Sequence, residues 1–157
     1  MKALAERLKQ DEDKWGLTGL LHDADYELTK DRPAEHGIII GDKARSLDGP
    51  IPDDVFEAIK FHNKEYTHAA ESLMGWGIYI CDELTGIVVA CALVRPDKKL
   101  ASVDADFVLR KMKQPSFAKG ALRERIYLCE EKLNTPLKEF VKVCLQAMQK
   151  IAAELGL

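Results

Sequence analysis

The sequence predicts an all-α fold: one domain of packed helices around a buried central helix at about residues 72–94. Three observations carry this. Apolar residues recur at three- and four-residue steps through most of the chain, the spacing that stripes one face of a helix. No stretch alternates apolar and polar residues as a half-buried strand requires. Residues 72–94 form the most apolar run, longer than a strand and unbroken by proline.

Taken in order, residues 2–10 read as a short helix with Ala5 and Leu8 inward and Lys2, Glu6, Lys9 and Gln10 toward water. A second helix over 13–21 turns Trp15, Leu17, Leu20 and Leu21 inward and ends on His22-Asp23. Residues 25–32, which hold Asp25, Tyr26 and Glu27, read as a loop. Pro33 suits the first turn of a third helix. Its inner face takes His36, Ile40, Ala44 and Leu47, broadened by Ile38 and Ile39, and Asp48-Gly49-Pro50 ends it. Pro52-Asp53-Asp54 opens a fourth helix, with acids where the helix dipole favours them. Val55, Ile59 and His62 then fall at i, i+4 and i+7, which puts His62 on the buried stripe. Residues 63–71 read as a loop carrying Tyr66 and a solvated His68.

Within the central run the polar side chains after Leu73 are Asp82, Glu83 and Thr85. Gly75, Gly77 and Gly86 let neighbouring helices approach, at a propensity cost near ~1 kcal/mol each. Ile78, Asp82, Thr85 and Val89 share a face, so Asp82 is expected among buried residues, with Glu83 supporting it or paired with a basic residue. Arg95-Pro96 stops the helix. A helix from Ser102, as N-cap, to 113 carries Val103, Phe107 and Val108, and Gln114-Pro115 breaks it. Leu122, Ile126, Cys129 and Leu133 stripe the next. Thr135 caps the last helix with Pro136 at its first position, and Leu137, Val141, Cys144, Met148, Ile151 and Leu155 lie on one side.

A chain of 157 residues with 46% hydrophobic and 31% charged content has the balance of one globular domain. Its bounds are 1–157, with the chemistry-bearing residues in about 1–100 and a helical scaffold over about 101–157. A net charge of −3, with Lys and Arg scattered, lacks the basic field a nucleic-acid binder needs. The N-terminus turns charged at once, without the apolar region of a secretory signal, and no charge-free run has the length of a bilayer span. Cys81, Cys91, Cys129 and Cys144 form no CxxC pair. They read as reduced core residues, which points to the cytoplasm and away from a membrane.

The polar residues on inward faces or helix ends are His22-Asp23, His36, His62 and Asp82. Burying such a group unpaired costs several kcal/mol. Singly, each has a plain explanation: a hydrogen-bonded core histidine, or a carboxylate paired with Lys or Arg. Together, three imidazoles and two carboxylates make a full set for one or two divalent ions.

Leu20-Leu21-His22-Asp23 at a helix end, then His36 followed by glycine, His62 closing a helix, and Asp82 opening Asp82-Glu83-Leu84-Thr85-Gly86, resembles the HD-domain superfamily of metal-dependent phosphohydrolases. Residues 93–100, Leu-Val-Arg-Pro-Asp-Lys-Lys-Leu, are similar to the close of the central helix in a subgroup of small predicted HD hydrolases. The resemblance covers most of the chain from about Trp15 onward. It implies an HD-type helical domain with His22, Asp23 and Asp82 on a first ion and His36 and His62 on a second, Asp23 bridging. The ion would be Mn, Fe, Co, Ni, Zn or Mg. It implies that Asp23 also orients an attacking water as the catalytic residue, and that the substrate is a nucleotide or another small phosphate ester. Arg95, Lys98 and Lys99 are candidates for neutralising phosphate charge, a solvated helix-end cluster being the plainer reading. There are two departures. The superfamily normally carries another metal-binding histidine on an earlier helix, and no histidine precedes His22. That leaves either a longer native chain or a degenerate site, and the latter predicts the alternative function, a non-catalytic ligand-binding or protein-interaction module. Asp25 also stands where many relatives have glycine.

Overall fold

The computed structural model describes residues 1–45 and 51–157. The expected inner-face Leu47 and the helix end at Asp48-Gly49-Pro50 lie outside them. Among the described residues every regular element is helical, as the apolar spacing requires. The helices are α1 (Lys2–Leu8), α2 (Glu12–Leu21), α3 (Tyr26–Thr29), α4 (Ile39–Arg45), α5 (Asp53–Phe61), α6 (Lys64–Thr67), α7 (Leu73–Leu93), α8 (Ala105–Met112), α9 (Arg123–Tyr127), α10 (Cys129–Lys132), α11 (Leu137–Lys150) and α12 (Ala152–Leu155). Single 3-10 turns cover Pro33–Glu35 and Leu100–Ser102. The chain forms two compact units, Met1–Tyr79 and Ile80–Leu157.

In the first unit α2 packs on α1 and α5. Asp11 caps α2, its carboxylate accepting the N–H groups of Asp13 and Lys14 at 3.0 Å. Trp15 and Thr18 are the buried residues of α2, whereas Leu20, expected inward, is 77% exposed. At 100° per residue Leu20 lies about 140° round the helix from Trp15. Thr18 takes the inner position instead, donating to the Lys14 carbonyl at 2.9 Å. In α1 the buried pair is Leu4 and Ala5, with Leu8 only partly covered.

The expected third helix is interrupted. After the turn at Pro33–Glu35, His36 is extended, Gly37 adopts φ +80°, and α4 begins at Ile39. That left-handed conformation is cheap only for glycine, and a Cβ there would meet the Ile59 carbonyl at 3.2 Å. His36 therefore stands at a corner, not on a helix face. Two segments expected as loops each contain one helical turn, α3 and α6. His68 is exposed at the end of α6. On α5 the stripe is as expected: Val55, Phe56, Ala58, Ile59 and Phe61 are buried, and His62 is only 7% exposed.

Gly75 and Gly77 are contact glycines: a Cβ would lie 2.9 Å from the Phe61 ring and 2.5 Å from the Trp15 ring respectively. Gly86 meets nothing within 4 Å, so close approach is not its role. Gly41 is tighter still, its absent Cβ falling 1.8 Å from the Phe56 ring. Gly41→Ala is expected to cost about 1–3 kcal/mol by overpacking, against a helix-propensity gain of about 1 kcal/mol. A thermal melt reads the sign, and a raised Tm would contradict this packing.

In the second unit Leu84, Ile87, Val88 and Cys91 of α7 are fully buried. Asp82 is only partly buried, so the expected deep burial does not hold. It lies two residues before Leu84, on a side of α7 shared with the partly covered Thr85 and Val89. Glu83 takes one of its two expected roles, accepting from Arg125 at 3.0 Å and from the Leu122 N–H at 2.8 Å. The cap of α8 is Asp104, whose carboxylate accepts the Phe107 N–H at 2.7 Å, while Ser102 closes the preceding turn and donates to Asp97 at 2.9 Å. The stripe over 122–133 is split into α9 and α10. The last helix starts one residue later than expected, with Pro136 outside it and Thr135 Oγ1 bonded to the Leu133 carbonyl, and it breaks at Ile151. By length and composition α7 alone, among the described residues, could cross a membrane. Yet 61% of its apolar stretch is buried within the protein, as in a core helix.

Candidate metal centre

Three segments of the first unit converge. His22 is the C-cap of α2 and Asp23 follows it, His36 comes from the Gly37 corner, and His62 is the C-cap of α5. Each imidazole is held through Nδ1. His22 Nδ1 donates to the Gly19 carbonyl at 2.9 Å, and His62 Nδ1 donates to the Ile59 carbonyl. Both acceptors lie three residues back, on the last helical turn. A carbonyl only accepts, so in the neutral rings Nδ1 carries the proton and Nε2 is left as a lone pair. His36 Nδ1 lies 2.8 Å from Asp25 Oδ1 and 3.3 Å from Thr29 Oγ1.

The Nε2 atoms face one carboxylate. Asp23 Oδ1 is 3.2 Å from His36 Nε2 and 3.7 Å from His62 Nε2, and Asp23 Oδ2 is 3.5 Å from His22 Nε2. His36 Nε2 and His62 Nε2 are 2.9 Å apart, and the His22 and His62 rings stand edge to face at 5.3 Å. Ligand atoms of Asp23, His36 and His62 all lie within 4.8 Å of one another. His62 is buried and His22 and His36 are partly covered, while the Asp23 side chain keeps 53% of its surface exposed. The carboxylate can therefore meet solvent on one side and imidazoles on the other.

This donor set fits a divalent ion. Imidazole nitrogen with carboxylate oxygen suits the first-row metals. Tying the far ring nitrogen to an oxygen acceptor is what metal-bound histidines normally require. Without an ion the same groups pair with one another instead. Hydrogen bonding to His36, and then to His62, holds Asp23 well below the usual carboxylate range. His36 is raised above 6.5, first by Asp23, partly countered by burial, and then by Asp25.

A pH dependence follows for the metal-free protein. His36 is raised, so its contacts stabilise fully below about 6.5 and are lost as pH rises through the folded value. Asp23 is depressed, so its contribution is present above about 3.9 and is lost as pH falls toward the folded value. The groups facing His36 are Asp23, Asp25, Thr29, Tyr26 and His62. Urea midpoints of chelator-treated protein should decline from pH 6 to 9, with His36→Gln flattening that decline. Equal slopes in the two proteins would contradict the assignment.

The sequence marks Asp25 only as a departure in a loop. It is 1% exposed, and its carboxylate takes the N–H groups of Gly37 at 3.0 Å and Ile40 at 3.0 Å besides facing His36. The available signal was an acid in place of the usual glycine just beyond His-Asp. The remaining predicted residues belong to the second unit. Asp82 lies on α7. Arg95 Nε donates to Ser102 Oγ at 3.3 Å, and its guanidinium lies 5.1 Å from the centre of the Phe107 ring. Lys98 and Lys99 are exposed.

No curated protein and no solved structure matches the chain significantly. The family model of the HD domain matches residues 1–119, which take in His22, Asp23, His36, His62 and Asp82. With a match over most of its length and the His-Asp pair at the focus of three imidazoles, the chain belongs to the HD domain family.

Proposed function

We propose that this HD domain is a metal-dependent phosphohydrolase acting on a nucleotide or another small phosphate ester. The observation that supports this most is the convergence of the His22, His36 and His62 Nε2 atoms on the Asp23 carboxylate. One or two ions of Mn, Fe, Co, Ni, Zn or Mg would be held by His22, Asp23, His36 and His62, with Asp82 as a further carboxylate. Such an ion supplies a Lewis acid for the phosphoryl oxygen and acidifies water toward neutrality. The chain's own part is positional. The anchored imidazoles keep their lone pairs aimed, and the exposed side of Asp23 orients the attacking water. Arg95, Lys98 and Lys99 are proposed to balance phosphate charge. The partner in this reading is a small phosphorylated substrate met in the cytoplasm, with no part for a membrane or a nucleic acid.

The test is metal per chain by elemental analysis, after purification without chelator and separate reconstitution with each ion. A phosphatase screen over nucleotides and small esters follows. Asp82→Asn is expected to lose metal and hydrolysis with its helical circular dichroism intact. Unchanged metal content in that variant would remove Asp82 from the centre. No stoichiometric ion under any condition would favour a degenerate ligand-binding or protein-interaction module.

A further inference from the structure

We infer that Asp25 is a positioning residue: its buried carboxylate sets the tautomer of His36, so that Nε2 is offered to the metal centre as a lone pair. The inference rests on the metal-centre reading and adds to it the group on which His36 depends.

The three histidines solve one problem in two ways. His22 and His62 each end a helix, where the carbonyl three residues back lies beside Nδ1. The helix end thus provides an acceptor without any further side chain. His36 is different because Gly37 turns the chain away from helix at that point. The carbonyl three residues back, of Pro33, is already occupied. It accepts the backbone N–H of His36 at 3.3 Å and the side-chain amide of Asn63 at 2.7 Å. A side chain must therefore provide the acceptor for Nδ1, and Asp25 does so at 2.8 Å. Thr29 Oγ1 stands second at 3.3 Å, and its own proton goes to the Asp25 carbonyl at 2.8 Å, so it too meets Nδ1 as an acceptor.

The same carboxylate holds the backbone that carries the ring. It accepts from Gly37 N at 3.0 Å and 3.1 Å through its two oxygens, and from Ile40 N, in the first turn of α4, at 3.0 Å. Its backbone partners among the described residues, Gly37 N and Ile40 N, are both donors. A neutral histidine has one ring proton, and two carboxylates compete for it: Asp23 at Nε2, 3.2 Å away, and Asp25 at Nδ1, 2.8 Å away with Thr29 Oγ1 beside it, so the shorter contact and the second acceptor draw it to Nδ1. An amide cannot replace the carboxylate. Asparagine has one accepting oxygen and a donating NH2 group for the same set of donors. Either the NH2 faces a backbone N–H, or it faces Nδ1 and forces the proton onto Nε2, the atom aimed at Asp23.

The experiment is a long-range 1H–15N correlation spectrum of the 15N-labelled, metal-free chain at alkaline pH, where the rings are neutral. It is paired with zinc affinity by chelator competition. In the wild type His36 should show the Nδ1–H tautomer. In Asp25→Asn it should move toward Nε2–H, with zinc bound about 10–100-fold more weakly, while His22 and His62 keep Nδ1–H. A purely structural role for Asp25 would not single out one ring. A wild-type His36 found as Nε2–H overturns the inference, whether or not the variant folds. So does a folded Asp25→Asn with the wild-type tautomer and affinity. If the tautomers behave as stated but the wild type holds no ion, the role of Asp25 stands and the phosphohydrolase reading fails.

Discussion

Asp23→Ala is expected to yield a folded chain without its ion and without measurable hydrolysis. Among the described residues Asp23 is the carboxylate that faces all three imidazoles, so its removal takes away the anionic donor they share. Its side chain is 53% exposed, so truncation opens no core cavity and the fold should persist. Loss of a group supporting a ligand already weakens metal binding about 10–100-fold, and loss of a direct ligand should exceed that. His36 should also fall back toward its ordinary value, because Asp23 is the first cause of its rise. Elemental analysis, circular dichroism and a phosphatase assay on one preparation check all three points. A variant that keeps a stoichiometric ion and its turnover would remove Asp23 from the chemistry.

The largest effect on stability is expected from Phe61→Ala, at about 3–5 kcal/mol. Phe61 is 2% exposed, with its ring 4.9 Å from Trp76 and 6.2 Å from Tyr79 in edge contacts. Gly75 lets α7 close on it so tightly that a methyl group there would sit 2.9 Å from the ring. Such a packed site collapses poorly around a void, so the full cavity cost should appear. Domains of this kind hold only about 5–15 kcal/mol in all. His62 is the next residue, so the loosened end of α5 should also weaken metal binding. Urea unfolding with and without zinc measures both, and a loss below about 1.5 kcal/mol would show that the cluster is not the core of the first unit.

What could be read from the sequence was what depends on local spacing. The α5 stripe places His62 inward because Val55, Ile59 and His62 recur with the helical period, and the His-Asp pair falls at the end of α2 for the same reason. What could not be read depends on contacts far apart in sequence. The corner at His36 is held by Asp25, eleven to fifteen residues before its partners His36 to Ile40, and no periodicity announces such a bond. Leu20 shows the opposite failure. Its type suggests burial, but its angle on the helix leaves it in solvent. The spacing on α7 puts Asp82 inward, yet the face it shares with Thr85 and Val89 is only partly covered.

The four cysteines and two tryptophans give the protein a pair of built-in reporters. Cys81, Cys91, Cys129 and Cys144 are buried and free, and all fall in the second unit. Burial pushes the Cys91 and Cys129 thiols up to about 11, so little thiolate is present near neutrality and a labelling reagent must wait for the chain to open. Trp15 and Trp76 both fall in the first unit. The rate of thiol modification therefore times the opening of residues 80–157, while indole fluorescence follows residues 1–79, with no label added. Coincident transitions would mark a single cooperative domain. Separate ones would give each half of the molecule its own stability.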